Sequence, residues 1–160
     1  MSLSQKIGAA LDSRPDSGAL PCDTSVADGA HRLTLHLTAA GPVGLAFSAL
    51  DFTTQARAEW TPEALKAWGD RLAARVTYLM EPLVVLEHDV QGGEVELRSE
   101  LPTPRAQQRS YYEVRLNRAG TLRLARVAFD DATRQRRAAD CQMTREVLER
   151  LTDDIVASVA

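Results

Sequence analysis

The sequence predicts an α+β fold with a two-layer arrangement, in which a mainly antiparallel sheet of about six to seven strands packs against helices. Three observations lead to this prediction: runs of alternating apolar and polar residues, apolar residues at helical spacing, and Gly-containing turns between consecutive runs. The helical patterns lie at both ends and in the middle of a series of strands. At 160 residues the chain suffices for one compact core, so we expect a single globular domain over 1–160.

The chain is expected to begin with a short helix and a loop. Leu3, Ile7 and Leu11 recur at helical spacing after Ser2 or Ser4, which predicts a short amphipathic N-terminal helix. The segment 14–30 contains Pro, Gly and Asp among small polar residues. This composition is typical of an exposed connection, so we interpret 14–30 as a flexible loop.

A β-hairpin is predicted next. Apolar residues alternate with polar ones over Arg32 to Thr38, which indicates a strand with one buried face. A second strand follows the Gly41-Pro42 turn and extends to Phe52. Its apolar positions slip by one residue near Ser48-Ala49, which predicts a β-bulge there.

A central helix is predicted over about 62–80. Thr61 can cap the first free N–H groups, Pro62 suits the first helical position, and Glu63 complements the helix dipole. Leu65, Trp68, Leu72, Val76 and Leu79 form the apolar stripe of this helix. The stripe stops before Pro82.

Four strands of an antiparallel meander and a C-terminal helix are expected in the second half of the chain. The four strands are Leu83 to Val90, Glu94 to Leu101, Ser110 to Asn117 and Thr121 to Phe129. In the last of them a slip of one residue would turn Val127 and Phe129 inward and leave Arg126 outside. A weaker strand is expected over 136–142, followed by a helix over about 145–159 that Thr144 caps.

Charge is distributed unevenly along the chain. The segment 98–137 contains ten arginines and four acids, whereas the rest has nine Lys or Arg and eighteen Asp or Glu, and the total charge is −3. Arginines within the meander alternate with acids such as Glu96 and Glu113, which is typical of cross-strand ion pairs on a solvated sheet.

Five further arginines are expected to converge, because the loops 102–109 and 130–137 should lie at the same end of the sheet. They are Arg105, Arg109, Arg134, Arg136 and Arg137. Guanidinium groups bind carboxylates and phosphates through paired hydrogen bonds, so this set could hold an acidic protein segment or a small anion. The alternative is that these arginines are ordinary solvated surface.

No motif indicates catalysis, a metal site or a cofactor. His31, His36 and His88 are scattered, and neither cysteine is near a histidine or in a CxxC pattern. We therefore predict no catalytic or metal-ligating residue and no cofactor, and a non-enzymatic role is favoured. The acidic total charge argues against a nucleic-acid partner. No apolar run resembles a signal peptide or membrane span, so a cytoplasmic protein without a membrane partner is expected.

The order of elements resembles that of small acidic secretion-chaperone-type proteins, in which helices flank a twisted antiparallel sheet and which work as homodimers. The resemblance concerns the order of elements alone and transfers no site residue. Together these observations predict an interaction or binding protein that forms a homodimer and engages an acidic or anionic partner. The alternative is a small-anion-binding protein or enzyme that uses the arginine-rich loops 102–109 and 130–137.

Overall fold

The structure is a computed structural model, and it describes residues 1–15, 17–99, 103–105 and 108–160, with the backbone alone described at 103–105 and 108. Within these residues the chain is an α+β fold with a mainly antiparallel sheet, which confirms the predicted fold class. The helices are α1 (Leu3–Asp12), α2 (Pro62–Arg75) and α3 (Arg145–Ser158). The strands are β1 (Cys22–Asp28), β2 (His31–Ala40), β3 (Gly44–Thr54), β4 (Leu83–Asp89), β5 (Glu94–Ser99), β6 (Thr103–Arg105), β7 (Gln108–Asn117), β8 (Thr121–Asp130), β9 (Gln135–Ala139) and β10 (Cys141–Thr144).

Seven strands form the main path of the sheet in the order β1-β2-β3-β8-β7-β5-β4, and every pairing is antiparallel. The path contains the predicted meander as β4-β5-β7-β8. The remaining strands are short: β6 pairs with β7, β9 with β8 and β10 with β3. Residues 100–102, at the predicted end of the second meander strand, lie outside the described residues.

The weak strand predicted over 136–142 is two strands that meet at Asp140. β3 and β8 pair with each other only through 50–53 and 121–124. Beyond this stretch β3 and β8 no longer pair with each other. β9 pairs instead with residues 126–130 of β8, and β10 pairs with residues 44–47 of β3. The chain therefore reverses its path at Asp140 instead of continuing as one strand.

The first strand, β1, corrects part of the prediction of a loop over 14–30. It pairs with β2 over its whole length, from Cys22 opposite Leu37 to Asp28 opposite His31. The sequence obscures this strand because Val26 is its one branched aliphatic residue and an edge strand needs little apolar surface. Pairing with β2 supplies the backbone hydrogen bonds that the local composition does not predict.

Helix capping follows the sequence closely at the N-termini. Thr61 caps α2 and Thr144 caps α3, each by accepting a hydrogen bond from a backbone N–H of the first turn. The predicted extent of α2 to about residue 80 is wrong, because the helix ends at Arg75 and Val76 has a non-helical backbone (φ −96°, ψ 87°). Val76 and Thr77 are β-branched, which disfavours helix at this point.

The three helices and alternate residues of the strands share one hydrophobic cluster. Trp68 lies at its centre, fully buried, with Trp60 stacked on it at 4.6 Å between ring centroids. Val76 and Leu79 are buried in the same cluster although they follow the helix, so their apolar spacing correctly predicted burial. We call the face of the sheet that contributes to this cluster the inner face and the opposite one the outer face.

Strand register decides which side chains reach the outer face. The predicted bulge near Ser48-Ala49 is confirmed, because Leu35 pairs with Leu50 while Leu37 pairs with Phe47. The slip predicted before Val127 is wrong, since β7 and β8 pair without interruption along their whole length. Arg126 therefore shares the inner face with Tyr112, and Val127 and Phe129 share the outer face with Tyr111.

Candidate functional site

The middle of the outer face carries a row of four charged residues, two acids and two arginines. Asp51 on β3, Arg123 on β8, Arg115 on β7 and Glu96 on β5 stand at successive partner positions across these strands. Arg123 Nη1 donates to both carboxylate oxygens of Asp51 at 3.0 and 2.9 Å. Arg115 contacts Glu96 at 3.7 Å. We call these four residues the central row. The Arg115–Glu96 contact is a cross-strand ion pair of the kind predicted for the meander, whereas Arg115 and Arg123 are directly opposed like charges.

The predicted set of five arginines is divided by the strands that carry it. Arg109 is on β7 and Arg136 on β9, and both are partners of Phe129 on the outer face. Arg137 is the partner of Ala128 and so lies on the opposite side of β9. Arg134 lies exposed in the turn between β8 and β9.

The fifth member, Arg105, lies on β6, next to the β7 residue Gln108. Its side chain is outside what the structure describes, and so are residues 102, 106 and 107 of the predicted loop 102–109. The structure thus brings Arg109 and Arg136 together and separates Arg137 from them.

Three arginines and two aromatic rings form a surface at this end of the outer face, which we call the arginine–aromatic end. Its residues are Arg98, Arg109, Tyr111, Phe129 and Arg136, and with Ser99 they line an open concavity of about 320 Å³. The guanidinium carbon of Arg98 lies 5.0 Å from the Tyr111 ring centroid, and that of Arg109 lies 5.7 Å from the Phe129 centroid. Both distances fall in the range of cation–π contacts.

Among the residues that the structure describes, carboxylates neighbour each of these arginines and occupy only part of each guanidinium. Arg109 Nη2 donates to Asp131 at 2.5 Å, and Arg136 Nη2 donates to Glu113 at 2.7 Å. Arg98 Nε donates to Glu96 at 3.2 Å. A guanidinium has several N–H donors in one plane, so a single carboxylate oxygen does not exhaust it. The side chains of Arg109 and Arg136 remain about half exposed.

Glu113 connects the central row with the arginine–aromatic end. Its side chain is 8% exposed and contacts Arg115 at 2.8 Å and Arg136 at 2.7 Å. Burial raises the pKa of the Glu113 carboxyl, but the hydrogen bond and charge of Arg115 and the charges of Arg136 and Arg98 outweigh burial and hold that pKa below its usual value. The Glu113 carboxylate is thus ionised at neutral pH.

Arg98, Tyr111 and Phe129 were not among the predicted site residues. Strict alternation along β8 without the assumed slip would have placed Phe129 outward beside Arg109 and Arg136. The pairing of Tyr111 with Arg98 had no comparable signal, because it depends on the register of β5 against β7.

Arg126, which was predicted to face outward, lies on the inner face. Its guanidinium carbon lies 4.6 Å from the Tyr112 ring centroid, and its Nη2 donates to Ser110 Oγ at 2.8 Å. Burial raises the pKa of the Tyr112 hydroxyl. These contacts fix the rim of the core, and Arg126 is not part of the arginine–aromatic end.

Cys22 and Cys141 are free, and burial raises the pKa of the Cys141 thiol to about 12, so this thiol is unreactive at neutral pH. Among the residues the structure describes, no group of three or more His, Cys, Asp and Glu side chains is placed to hold a metal ion. Within the same residues, no helix is both long and apolar enough to cross a membrane.

Comparison with protein families, curated proteins and solved structures finds no match for this chain.

Proposed function

We propose that this protein is a non-enzymatic interaction protein that holds an acidic segment of a partner at the arginine–aromatic end of its sheet. The observation that supports the proposal is the pair Arg109 and Arg136 on either side of Phe129, each about half exposed and each bound to one carboxylate among the described residues. Charge-assisted hydrogen bonds from guanidinium groups are among the stronger polar contacts of proteins. A carboxylate of the partner would take up the N–H donors that Asp131 and Glu113 leave.

The aromatic rings contribute by fixing the guanidinium groups before the partner arrives. Arg98 lies over Tyr111 and Arg109 over Phe129, so these side chains lose less freedom on binding than arginines extended into solvent. Asp131 and Glu113 compete with the partner for the same guanidiniums. We therefore expect binding in the micromolar range, weakened by salt because the charges are partly exposed.

Self-association is part of the proposal. β1 and β4 end the main path of the described sheet, and pairing between two copies is a common way to cover such edges. We propose a homodimer that works in the cytoplasm, consistent with the acidic total charge and the outline of the fold. Native mass spectrometry of the untagged chain tests this part: a dimer supports it, and a monomer at micromolar concentration contradicts it.

A second candidate function is the binding of a small anion, with or without chemistry on it. The concavity of about 320 Å³ and the three arginines around it favour this candidate, since small-molecule sites begin at about 300 Å³. Its openness to solvent favours a segment of a larger partner instead, because an enclosed site would bury most of a small ligand. Citrate and inorganic phosphate serve as probes: saturable binding tighter than that of an oligoglutamate would favour the second candidate.

The test of the first candidate is titration of the full chain with a fluorescent decaglutamate at low salt. The double variant Arg109→Ser/Arg136→Ser should bind at least about tenfold more weakly, because each lost charge-assisted hydrogen bond contributes about 1.5 kcal/mol or more. The matched control is Arg32→Ser/Arg118→Ser, which removes the same charge from exposed positions near the opposite end of the sheet. Circular dichroism verifies that both variants fold.

Equal losses in the two double variants would mean that total charge alone attracts the peptide, and the proposed site would be wrong. If the unmodified protein does not bind decaglutamate at all, the proposal of an acidic partner would be wrong.

A further inference from the structure

The strongest unexplained cluster elsewhere on the outer face surrounds His36. This residue lies on β2, between Asp23 on β1 and Asp51 on β3. Its Nδ1 lies 2.7 Å from Asp23 Oδ1, and its Nε2 lies 2.7 Å from Asp51 Oδ2. A carboxylate can only accept hydrogen bonds, so both ring nitrogens donate in this arrangement. With both carboxylates ionised, the two contacts favour the protonated imidazolium.

The two carboxylates are not equivalent partners. Asp51 also receives both hydrogen bonds from Arg123 on β8, and its side chain is 33% exposed. Among the described side chains Asp23 contacts His36, and the Asp23 side chain is 67% exposed. A neutral imidazole can donate a hydrogen bond from only one of its nitrogens. We expect that bond to go to Asp51, because Arg123 holds the Asp51 carboxylate in place. The contact that is lost is then the one with Asp23.

Asp23 lies near the start of β1, whose two ends are attached in different ways. At the far end, Lys6 Nζ on α1 binds Asp28 Oδ1 at 3.2 Å and the Ala27 carbonyl at 2.9 Å. A short turn at Gly29 joins that end to β2. At the near end the described side-chain hydrogen bonds are Asp23 with His36 and Ser25 with Thr34, and Cys22 packs against the hydrophobic cluster. Within the described part of the chain β1 pairs with β2 alone, because it is an edge of the sheet.

We propose that His36 is a proton-dependent latch that holds the beginning of edge strand β1 on the sheet and releases it when the imidazole becomes neutral. Release would loosen residues 22–25 while the Lys6–Asp28 contact keeps the other end in place. The half-buried Cys22, which faces Leu37 across the pair, becomes accessible in the released state. This inference is independent of the function proposed for the arginine–aromatic end.

The pH window follows from the charges around His36. The hydrogen bond to Asp51 raises the pKa of the His36 imidazole, burial lowers it, and Asp23 raises it further, so the pKa in the folded protein lies above the ordinary 6.5. Other charged groups on this patch are Arg123, bound to Asp51, and Asp140, bound to Thr38 of the same strand. Because the folded pKa is the higher one, the latch is complete below pH 6.5 and is lost as pH rises through the folded pKa.

The test uses NMR on the full chain between pH 5 and pH 9, with two readouts. The His36 ring should titrate above 6.5, and Asp23→Asn should lower its pKa. Hydrogen-exchange protection of the amides at 23–25 should fall through the same pH range in the unmodified protein. In Asp23→Asn this protection should be independent of pH, because an Asn side chain can accept from the protonated ring and donate to the neutral one.

Asp28→Asn is the matched control, because it removes a carboxylate from the other end of β1. It should loosen that end without changing the titration of His36 or the pH profile at 23–25. Modification of Cys22 by a small thiol reagent gives an independent check, compared between unmodified protein and Asp23→Asn at each pH. A His36 pKa at the ordinary value, or protection at 23–25 that does not change with pH, would overturn the proposal.

Discussion

The central row and the arginine–aromatic end are built from the same residue type on the same face of one sheet, yet their arginines are placed differently. In the central row Arg123 gives two hydrogen bonds to a single acid, Asp51, and the two stand at directly opposed strand positions. At the arginine–aromatic end Arg109 and Arg136 stand on either side of Phe129, and each gives one hydrogen bond to a carboxylate. Both parts leave guanidinium donors exposed, since Arg123 is 58% exposed, so what distinguishes the arginine–aromatic end is the aromatic surface under its arginines.

The largest effect is expected on stability at Glu113, which contacts arginines of both parts of the face. Glu113→Ala removes a nearly buried acceptor from Arg115 and Arg136, so the free energy of unfolding should fall by about 2 kcal/mol. Urea denaturation measures this change. Glu94→Ala is the control, because Glu94 pairs with the same Arg115 but is 43% exposed, and its loss should cost less than about 0.5 kcal/mol. Equal losses of unfolding free energy in the two variants would mean that Glu113 does not connect the central row with the arginine–aromatic end.

A smaller effect is expected from the ring beneath Arg109. Phe129→Ala keeps every charge but removes the cation–π support, which contributes about 1 kcal/mol, so decaglutamate should bind roughly fivefold more weakly. Phe129→Tyr retains the ring and should bind as the unmodified protein does. If Phe129→Ala binds normally, charge alone accounts for the site and the aromatic surface has no part in it.

The smallest effect is expected in the central row. Arg123→Ser breaks an exposed ion pair with Asp51, which should lower the free energy of unfolding by about 0.5 kcal/mol. Decaglutamate binding should stay the same, because Arg123 is not part of the concavity. If Arg123→Ser lost as much binding as Arg109→Ser/Arg136→Ser, the claim that the peptide binds only the arginine–aromatic end would be wrong.

Local patterns in the sequence were enough to predict most of the fold. Alternation, caps and turn residues indicated the three helices, the first hairpin, the four-stranded meander and the bulge near Ser48-Ala49. These features depend on neighbours within a few residues. The strand β1 and the division at Asp140 depend on partners far along the chain, β2 in one case and the diverging β3 and β8 in the other.

The candidate site could be predicted only in part for a related reason. Antiparallel connectivity correctly brings Arg109 and Arg136 to one end of the sheet, but side-chain direction depends on register to the single residue. One assumed slip in β8 turned Phe129 inward and Arg126 outward, the reverse of the observed faces. Arg137 could not be assigned to a face until the pairing of β9 with β8 was known.

The central claim is that an acidic segment binds the arginine–aromatic end and not the central row. Amide NMR of the full chain during titration with decaglutamate tests it most directly, because each part of the face has its own reporters. We expect saturable shifts at residues 109–111, 127–130 and 135–138, with little change at Asp51, Glu96, Arg115 and Arg123. Shifts spread evenly over both parts, or confined to the central row, would contradict the account.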